Sequence, residues 1–220
     1  MTNGTAADVR LIEVYTSVQG ESTWVGLPCV FVRFAGCNLR CTWCDSVFTF
    51  TGGTREPIDA VVDKVLATGI PLVEVTGGEP LVHRSAAPLM QALLDRGLTV
   101  LLETSGSRDI SVVPAAVHVI LDLKPPDSGE ERANLWSNVP LLRKKDEVKF
   151  VIASRRDYEW SRDVTREHQL DQKVGSVLFS PAWGLVDPQA LVDWILADRL
   201  PVRFQVQMHK YVWPPEQRGV

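Results

Sequence analysis

Cys37, Cys41 and Cys44 lie in the run Gly36-Cys37-Asn38-Leu39-Arg40-Cys41-Thr42-Trp43-Cys44-Asp45-Ser46, spaced by three residues and then two. Three thiols in one short loop can grip a single inorganic centre. No fourth cysteine or histidine stands nearby to close the set. A structural zinc site takes four protein ligands, and an ordinary cubane iron–sulfur cluster also takes four. Three ligands therefore leave one metal corner open, and an open corner is where chemistry happens. The spacing favours a 4Fe–4S cluster with one free iron over a zinc site closed by a distant histidine. Cys29, inside a strand-like run, reads instead as a small buried hydrophobe.

A second group follows in Thr76-Gly77-Gly78-Glu79-Pro80. Glycines let the backbone approach a ligand closely, and a carboxylate such as Glu79 can accept hydrogen bonds from an ammonium. Further polar stretches close later strands: Glu103-Thr104-Ser105-Gly106, Asp122-Leu123-Lys124-Pro125 and Ser180-Pro181.

These groups need elements to position them. Apolar alternation predicts strands over 9–17, 29–34, 72–75, 99–102, 118–121, 147–152, 177–179 and 203–207. Ile58, Val61, Val62, Val65 and Leu66 make one apolar helical face. Helices are also expected over 85–96, stopped by Gly97, over 156–168, and from an Asp187 N-cap with Pro188 at its first position to about Asp198. Strands alternating with helices predict a parallel sheet with right-handed crossovers. Such folds place ligands at the C-terminal strand ends, where the polar stretches gather. About six units are too few for a closed eightfold barrel. The expected fold is α/β: a partial, open parallel β/α barrel over residues 9–220, preceded by a loose tail over 1–8 and ending in a proline-bearing tail over 213–220.

The bulk numbers set limits. A chain of 220 residues can bury a core without disulfide staples. A net charge of −4 gives no electrostatic footprint for nucleic acid. Clustered thiols without an apolar leader point to a reducing, cytoplasmic setting. No apolar run reaches the roughly 18 residues of a membrane span.

The cysteine spacing resembles that of the radical S-adenosylmethionine enzymes. The resemblance implies that the open iron is chelated by S-adenosylmethionine and that one electron then yields a 5′-deoxyadenosyl radical. It implies cofactor contacts from Trp43, beside the adenine, from Gly78 and Glu79 at the methionine amino group, from Ser105 at the ribose, and from Lys124 and Ser180.

Ser17-Val18-Gln19-Gly20-Glu21, Cys44-Asp45-Ser46, the 103–106 segment and Gln207-Met208-His209-Lys210-Tyr211 occur together. That set is similar to the 7-carboxy-7-deazaguanine synthases of queuosine and deazapurine biosynthesis. These take 6-carboxy-5,6,7,8-tetrahydropterin, abstract a hydrogen, contract the ring and expel ammonia, with magnesium. The similarity implies substrate contacts from Val18, Gln19, Gly20, Glu21, Arg33, Thr76 and His209, and a magnesium ligand in Ser46. Arg33 offers a planar fork suited to the substrate carboxylate, and a hydroxyl oxygen suits a hard cation. It also implies a low-potential electron donor such as flavodoxin, and an open barrel suits a homodimer. A glycyl-radical activase would share the cysteines and Gly77-Gly78-Glu79-Pro80 without needing residues 19–21. A zinc-bound interaction module would contain zinc without iron or sulfide.

Overall fold

The computed structural model describes residues 8–220. The expected N-terminal tail lies outside them except for Asp8, where the first strand already begins. The chain runs through β1 (Asp8–Val18), β2 (Pro28–Phe34), β3 (Thr54–Pro57), α1 (Ile58–Leu66), β4 (Leu72–Gly77), α2 (Ala86–Asp95), β5 (Thr99–Thr104) and β6 (His118–Asp122). It continues through β7 (Glu147–Ile152), α3 (Arg155–Glu167), α4 (Leu170–Lys173), β8 (Ser176–Pro181), α5 (Pro188–Asp198), β9 (Arg203–Phe204) and α6 (His209–Val212).

The nine strands of the described residues form one sheet in the order β3-β1-β2-β4-β5-β6-β7-β8-β9. From β2 to β9 every neighbouring pair is parallel. β3 and β9 end the order without meeting, so the barrel is open as expected. The parallel expectation needs correction at one edge, where β1 pairs antiparallel with both β2 and β3. Only the short segment 19–27 joins β1 to β2, and an antiparallel return is the connection so short a link permits.

Alternation along the strands separates two faces. Outward, Val30, Val32, Phe34, Val73, Val75, Val100 and Leu102 pack with Val61, Val65, Leu89 and Leu93 of α1 and α2. A second outer core joins Val148, Phe150, Ile152 and Phe179 to Tyr158, Leu191 and Ile195 of α3 and α5. Each such side chain contributes about 1.5–3 kcal/mol on burial, so this outer face holds the sheet together. Inward, Cys29, Phe31, Leu72, Leu101 and Ile120 make a small apolar floor. Beyond it, toward the strand ends, the inward positions turn polar: Thr76, Glu103, Asp122, Lys149 and Ser180 are all found there.

The helix boundaries have local causes. Asp187 accepts from the Gln189 N–H with Pro188 at the first position, and Ser154 accepts from the Asp157 N–H to start α3. The link between β6 and β7 carries only 3₁₀ turns, at Pro126–Ser128, Glu131–Ala133 and Trp136–Leu141. Pro125, Pro126 and Pro140 remove backbone donors that a longer helix would use. The last strand spans only Arg203–Phe204, shorter than expected, because Gln205 and Gln207 turn to bond residues of the β1–β2 segment.

Candidate active site

The cysteine loop leaves the end of β2, and the parallel register sets Phe34 opposite Gly77. The Gly78 N–H donates to the Phe34 carbonyl at 3.1 Å and the Glu79 N–H to the Gly36 carbonyl at 2.9 Å. Gly77 has φ +131°, and a Cβ on it would meet the Phe34 oxygen at 2.3 Å. A Cβ on Gly78 would lie 2.2 Å from the Gly36 oxygen and 3.0 Å from the Cys37 Cβ. The double glycine is therefore what lets the cysteine loop lie flat against β4. Gly78→Ala should push the loop off this seat; iron and sulfide content after anaerobic reconstitution should fall well below the wild-type value, and an unchanged count would contradict this.

All three cysteines are free and partly buried. Among the described residues no three His, Cys, Asp or Glu side chains form a preformed metal set. The donor chemistry nevertheless fits a cluster: three free thiols on one loop, seated on a glycine turn, with a cation facing them. Burial raises all three thiols, Cys41 to about 11, while the Lys124 ammonium works in the opposite direction on each. Arg40 braces the loop by donating to the Cys37 and Leu39 carbonyls and stacking on Phe50 at 4.1 Å. The Thr42 N–H reaches the Ser128 carbonyl at 3.0 Å, and Trp43 lies half-buried within the loop.

Of the residues expected around S-adenosylmethionine, Gly78 and Glu79 meet this loop directly, while Ser105, Lys124 and Ser180 lie at or just past the ends of β5, β6 and β8. Glu79 is fully buried. It accepts from the Leu81 N–H at 3.0 Å, the Thr104 hydroxyl at 2.8 Å, the Ser105 N–H at 2.7 Å and the Ser105 hydroxyl at 2.5 Å. The carboxylate thus straps the glycine turn to the end of β5, and Ser105 is part of the strap. Lys124 pairs with Asp122 at 3.0 Å. Burial opposes its charge, but Asp122 and Cys41 keep it strongly protonated. Among the described residues, Ser180 Oγ and Asp122 Oδ1 are buried without a hydrogen-bond partner. Such atoms are rare in folded proteins and suit a site that receives a ligand.

The residues expected to hold substrate meet inside the open barrel, and the segment carrying Gln19, Gly20 and Glu21 enters it from the side opposite the cysteine loop, since Val18 pairs with Pro28 at the start of β2. The Gln19 amide donates to Glu74 at 2.6 Å and accepts from the Glu21 N–H at 2.6 Å. The Met208 N–H bonds the Gly20 carbonyl at 2.9 Å. A Cβ on Gly20 would sit 2.5 Å from His209 Nδ1, so only glycine lets the histidine close down. Burial holds the His209 imidazole below its usual value. Val18 ends β1 just before this segment, and Thr76 donates to Glu103 at 3.2 Å. Arg33 pairs with Glu13 at 2.9 Å and donates to the Tyr15 hydroxyl at 2.5 Å. Nη1 of its fork is not used in those bonds.

Lys149 sits at the centre of this layer and was not among the residues singled out from sequence. It pairs with Glu21 at 2.8 Å, with Glu103, and with Asp122 at 3.5 Å. Burial disfavours its ammonium, yet the three carboxylates raise it well above the usual lysine value. Burial likewise opposes ionisation of Glu21, but Lys149 and the bonds from Lys149 and Gln207 hold it below the usual carboxylate range. The sequence did carry a signal: in 147–152 the charged Glu147 and Lys149 alternate with Val148 and Phe150.

Ser46 heads a short turn, Val47–Thr49, and donates to Asp45 at 3.1 Å. Asp45 also accepts from Lys210 at 2.9 Å and from Gln207 at 3.3 Å. Half of its side chain is open to solvent, and the Lys210 ammonium holds it below the usual carboxylate range. The C-terminal tail returns to this corner, where Arg218 stacks on Phe48 at 4.0 Å and Arg33 lies 5.7 Å from the same ring.

A family profile, Radical SAM superfamily, matches residues 31–160. The 7-carboxy-7-deazaguanine synthase of Koribacter versatilis is 47% identical over 228 residues, covering 96% of this chain and 100% of that protein. The 7-carboxy-7-deazaguanine synthase of Chlorobaculum tepidum is 43% identical, covering 98% and 99%. Among solved structures, QueE from Escherichia coli superposes with a TM-score of 0.74 at 22% identity, over 92% of this chain and 95% of that one, a likeness of fold. No helix among the described residues is long and apolar enough to cross a membrane.

Proposed function

We infer the work of each residue from one premise: the chain belongs to the radical S-adenosylmethionine superfamily and, within it, to the 7-carboxy-7-deazaguanine synthases. Its reaction is the conversion of 6-carboxy-5,6,7,8-tetrahydropterin to 7-carboxy-7-deazaguanine with loss of ammonia. The observation that carries this reading is the meeting, in one open barrel, of the cysteine loop with the buried layer of Gln19, Glu21, Thr76, Glu103 and Lys149.

Cys37, Cys41 and Cys44 would hold a 4Fe–4S cluster, which together with bound S-adenosylmethionine would supply one-electron radical chemistry. Lys124 faces the thiols and favours their anionic, ligating form. Gly78 contributes backbone to the cofactor's methionine end. The Glu79–Ser105 strap fixes that edge, and Trp43 and Ser180 border the rest. Glu21 and Glu103 accept hydrogen bonds from the N–H edge of the pterin, and the Lys149 ammonium pairs with both. The Val18–Glu21 segment, Thr76 and neutral His209 border the ring, and the free part of the Arg33 fork takes the substrate carboxylate. Ser46 supplies an oxygen to magnesium beside the anionic Asp45.

Ser46→Ala should weaken the magnesium dependence of turnover while leaving iron content unchanged. A magnesium titration that superimposes on wild type would remove Ser46 from the metal site. The reading also includes a low-potential reductant such as flavodoxin and a cytoplasmic setting, which the free cysteines suit. It includes a homodimer, for which exposed Trp183, Leu185 and Tyr211 offer apolar surface.

The direct test is anaerobic incubation of reconstituted protein with the carboxytetrahydropterin, S-adenosylmethionine, magnesium and dithionite. A deazaguanine carboxylate product is expected. Cleavage of S-adenosylmethionine without that product would overturn the assignment.

A further inference from the structure

Glu74 stands where a sheet of this kind calls for an apolar residue. It lies in the middle of β4 on the inner face, and its register neighbours are Phe31 on β2 and Leu101 on β5. Only 2% of it is exposed. A carboxyl here costs stability unless it is engaged. Its one hydrogen-bond partner among the described residues is the Gln19 amide, itself 3% exposed.

The direction of that bond is fixed by the next one. Gln19 Oε1 faces the Glu21 N–H, which can only donate, so Nε2 must be the end turned to Glu74. The chain of contacts therefore runs from Glu74 through Gln19 to the Glu21 backbone, and from the Glu21 carboxylate to Lys149. Gln19 also straddles the fold of its own segment, with its N–H and carbonyl bonded to Leu27 and Gly26.

We propose that Glu74 is a positioning residue of the substrate site: it orients the Gln19 amide, which fixes the Glu21 backbone and presents residues 19–21 to the pterin. This rests on the synthase reading above and deepens it.

The electrostatics agree. Burial, then Glu103, with Glu21 adding to them, raise the Glu74 carboxyl to about 8, against the opposing influence of the Gln19 bond and Lys149. Tyr15 on β1 and Cys29 on β2 also feel its charge, and both stay protonated at neutral pH because burial raises them. Glu74 is therefore largely neutral at pH 7. A neutral carboxyl still accepts from Gln19 through its carbonyl oxygen without adding an anion beside Glu21 and Glu103. Ionisation above about pH 8 adds that charge to the layer and should weaken substrate binding.

The test compares Glu74→Gln and Glu74→Leu with wild type in anaerobic, reconstituted enzyme. Wild type must first make product; if it does not, the synthase reading fails and Glu74 is not the cause. Given product, Glu74→Leu should raise the KM for the carboxytetrahydropterin at least about tenfold, the scale of one lost buried hydrogen bond. Its iron content and its substrate-free cleavage of S-adenosylmethionine should match wild type. Glu74→Gln, which keeps the acceptor without the charge, should restore KM to within about twofold at pH 7 and lose the decline in kcat/KM above pH 8. A wild-type KM in Glu74→Leu would overturn the proposal, as would equal damage in both variants or parallel loss of substrate-free cleavage. If Glu74→Leu fails to fold, the pH profile of Glu74→Gln decides: a basic limb identical to wild type overturns it.

Discussion

Cys41→Ala is expected to fold normally and to make no 5′-deoxyadenosine. Cys41 is partly buried in a loop outside the three apolar cores. Losing its sulfur therefore costs only the small amount usual for such positions, within about 0.5 kcal/mol, or a Tm shift of about 1–2 °C at this chain length. The chemical cost is of another order. Two cysteines remain on the loop, and the open corner is useful only when the other three are tied down. The Lys124 ammonium, which works to lower all three thiols, would then face only two. Iron and sulfide counts, the visible spectrum and 5′-deoxyadenosine yield check this together. A variant that still cleaves S-adenosylmethionine would remove the cluster from these cysteines.

Lys149→Met should be the most destabilising single change in the site. The side chain is only 5% exposed and neutralises Glu21, Glu103 and Asp122. Removing one partner from a buried ionic set typically costs about 3–5 kcal/mol, because the remaining charges stay buried without compensation. For a chain of this size that corresponds to a Tm lower by about 10 °C. The pH dependence follows from the directions of the shifts. Glu21 lies below the usual carboxylate value, so its stabilising contribution is present above that value and is lost as pH falls through the depressed one. Lys149 lies above the usual lysine value, so its contribution is complete below that value and is lost only as pH rises through the raised one. At neutral pH both contributions are intact, and the comparison of melting curves belongs there. A Tm within 2 °C of wild type would show that the three carboxylates rearrange without the lysine and do not depend on it. Product formation should fall with the loss of Lys149 even below the variant's melting temperature, since Glu21 and Glu103 would lose the ammonium that holds them in place.

How much was legible in advance varied with the range of the physics involved. The β7 boundaries at Glu147 and Ile152 and the α5 start at Asp187-Pro188 were readable because alternation and capping are local properties. The antiparallel edge was not, because strand direction depends on what a segment pairs with. The 3₁₀ course between β6 and β7 was hidden for a similar reason: its prolines forbid a long helix but do not say what replaces it. Glu79 was expected to face the cofactor, and the fold engages both of its oxygens with Leu81, Thr104 and Ser105. Lys149 was missed since its three acidic partners come from three separate segments, 27 to 128 residues away in sequence for Asp122 and Glu21.

By itself the sequence determined the type of chemistry. Thiol spacing, glycine pairs and strand alternation are short-range patterns, and an open metal corner on an α/β edge follows from them. Only the tertiary structure decided which charges meet: β1 folds back to bring Gln19 and Glu21 over Glu74 and Lys149, and the 207–210 segment closes on Gly20 and Asp45. Ion pairing depends on distance in space, and no spacing along a chain specifies which buried carboxylate a lysine will find.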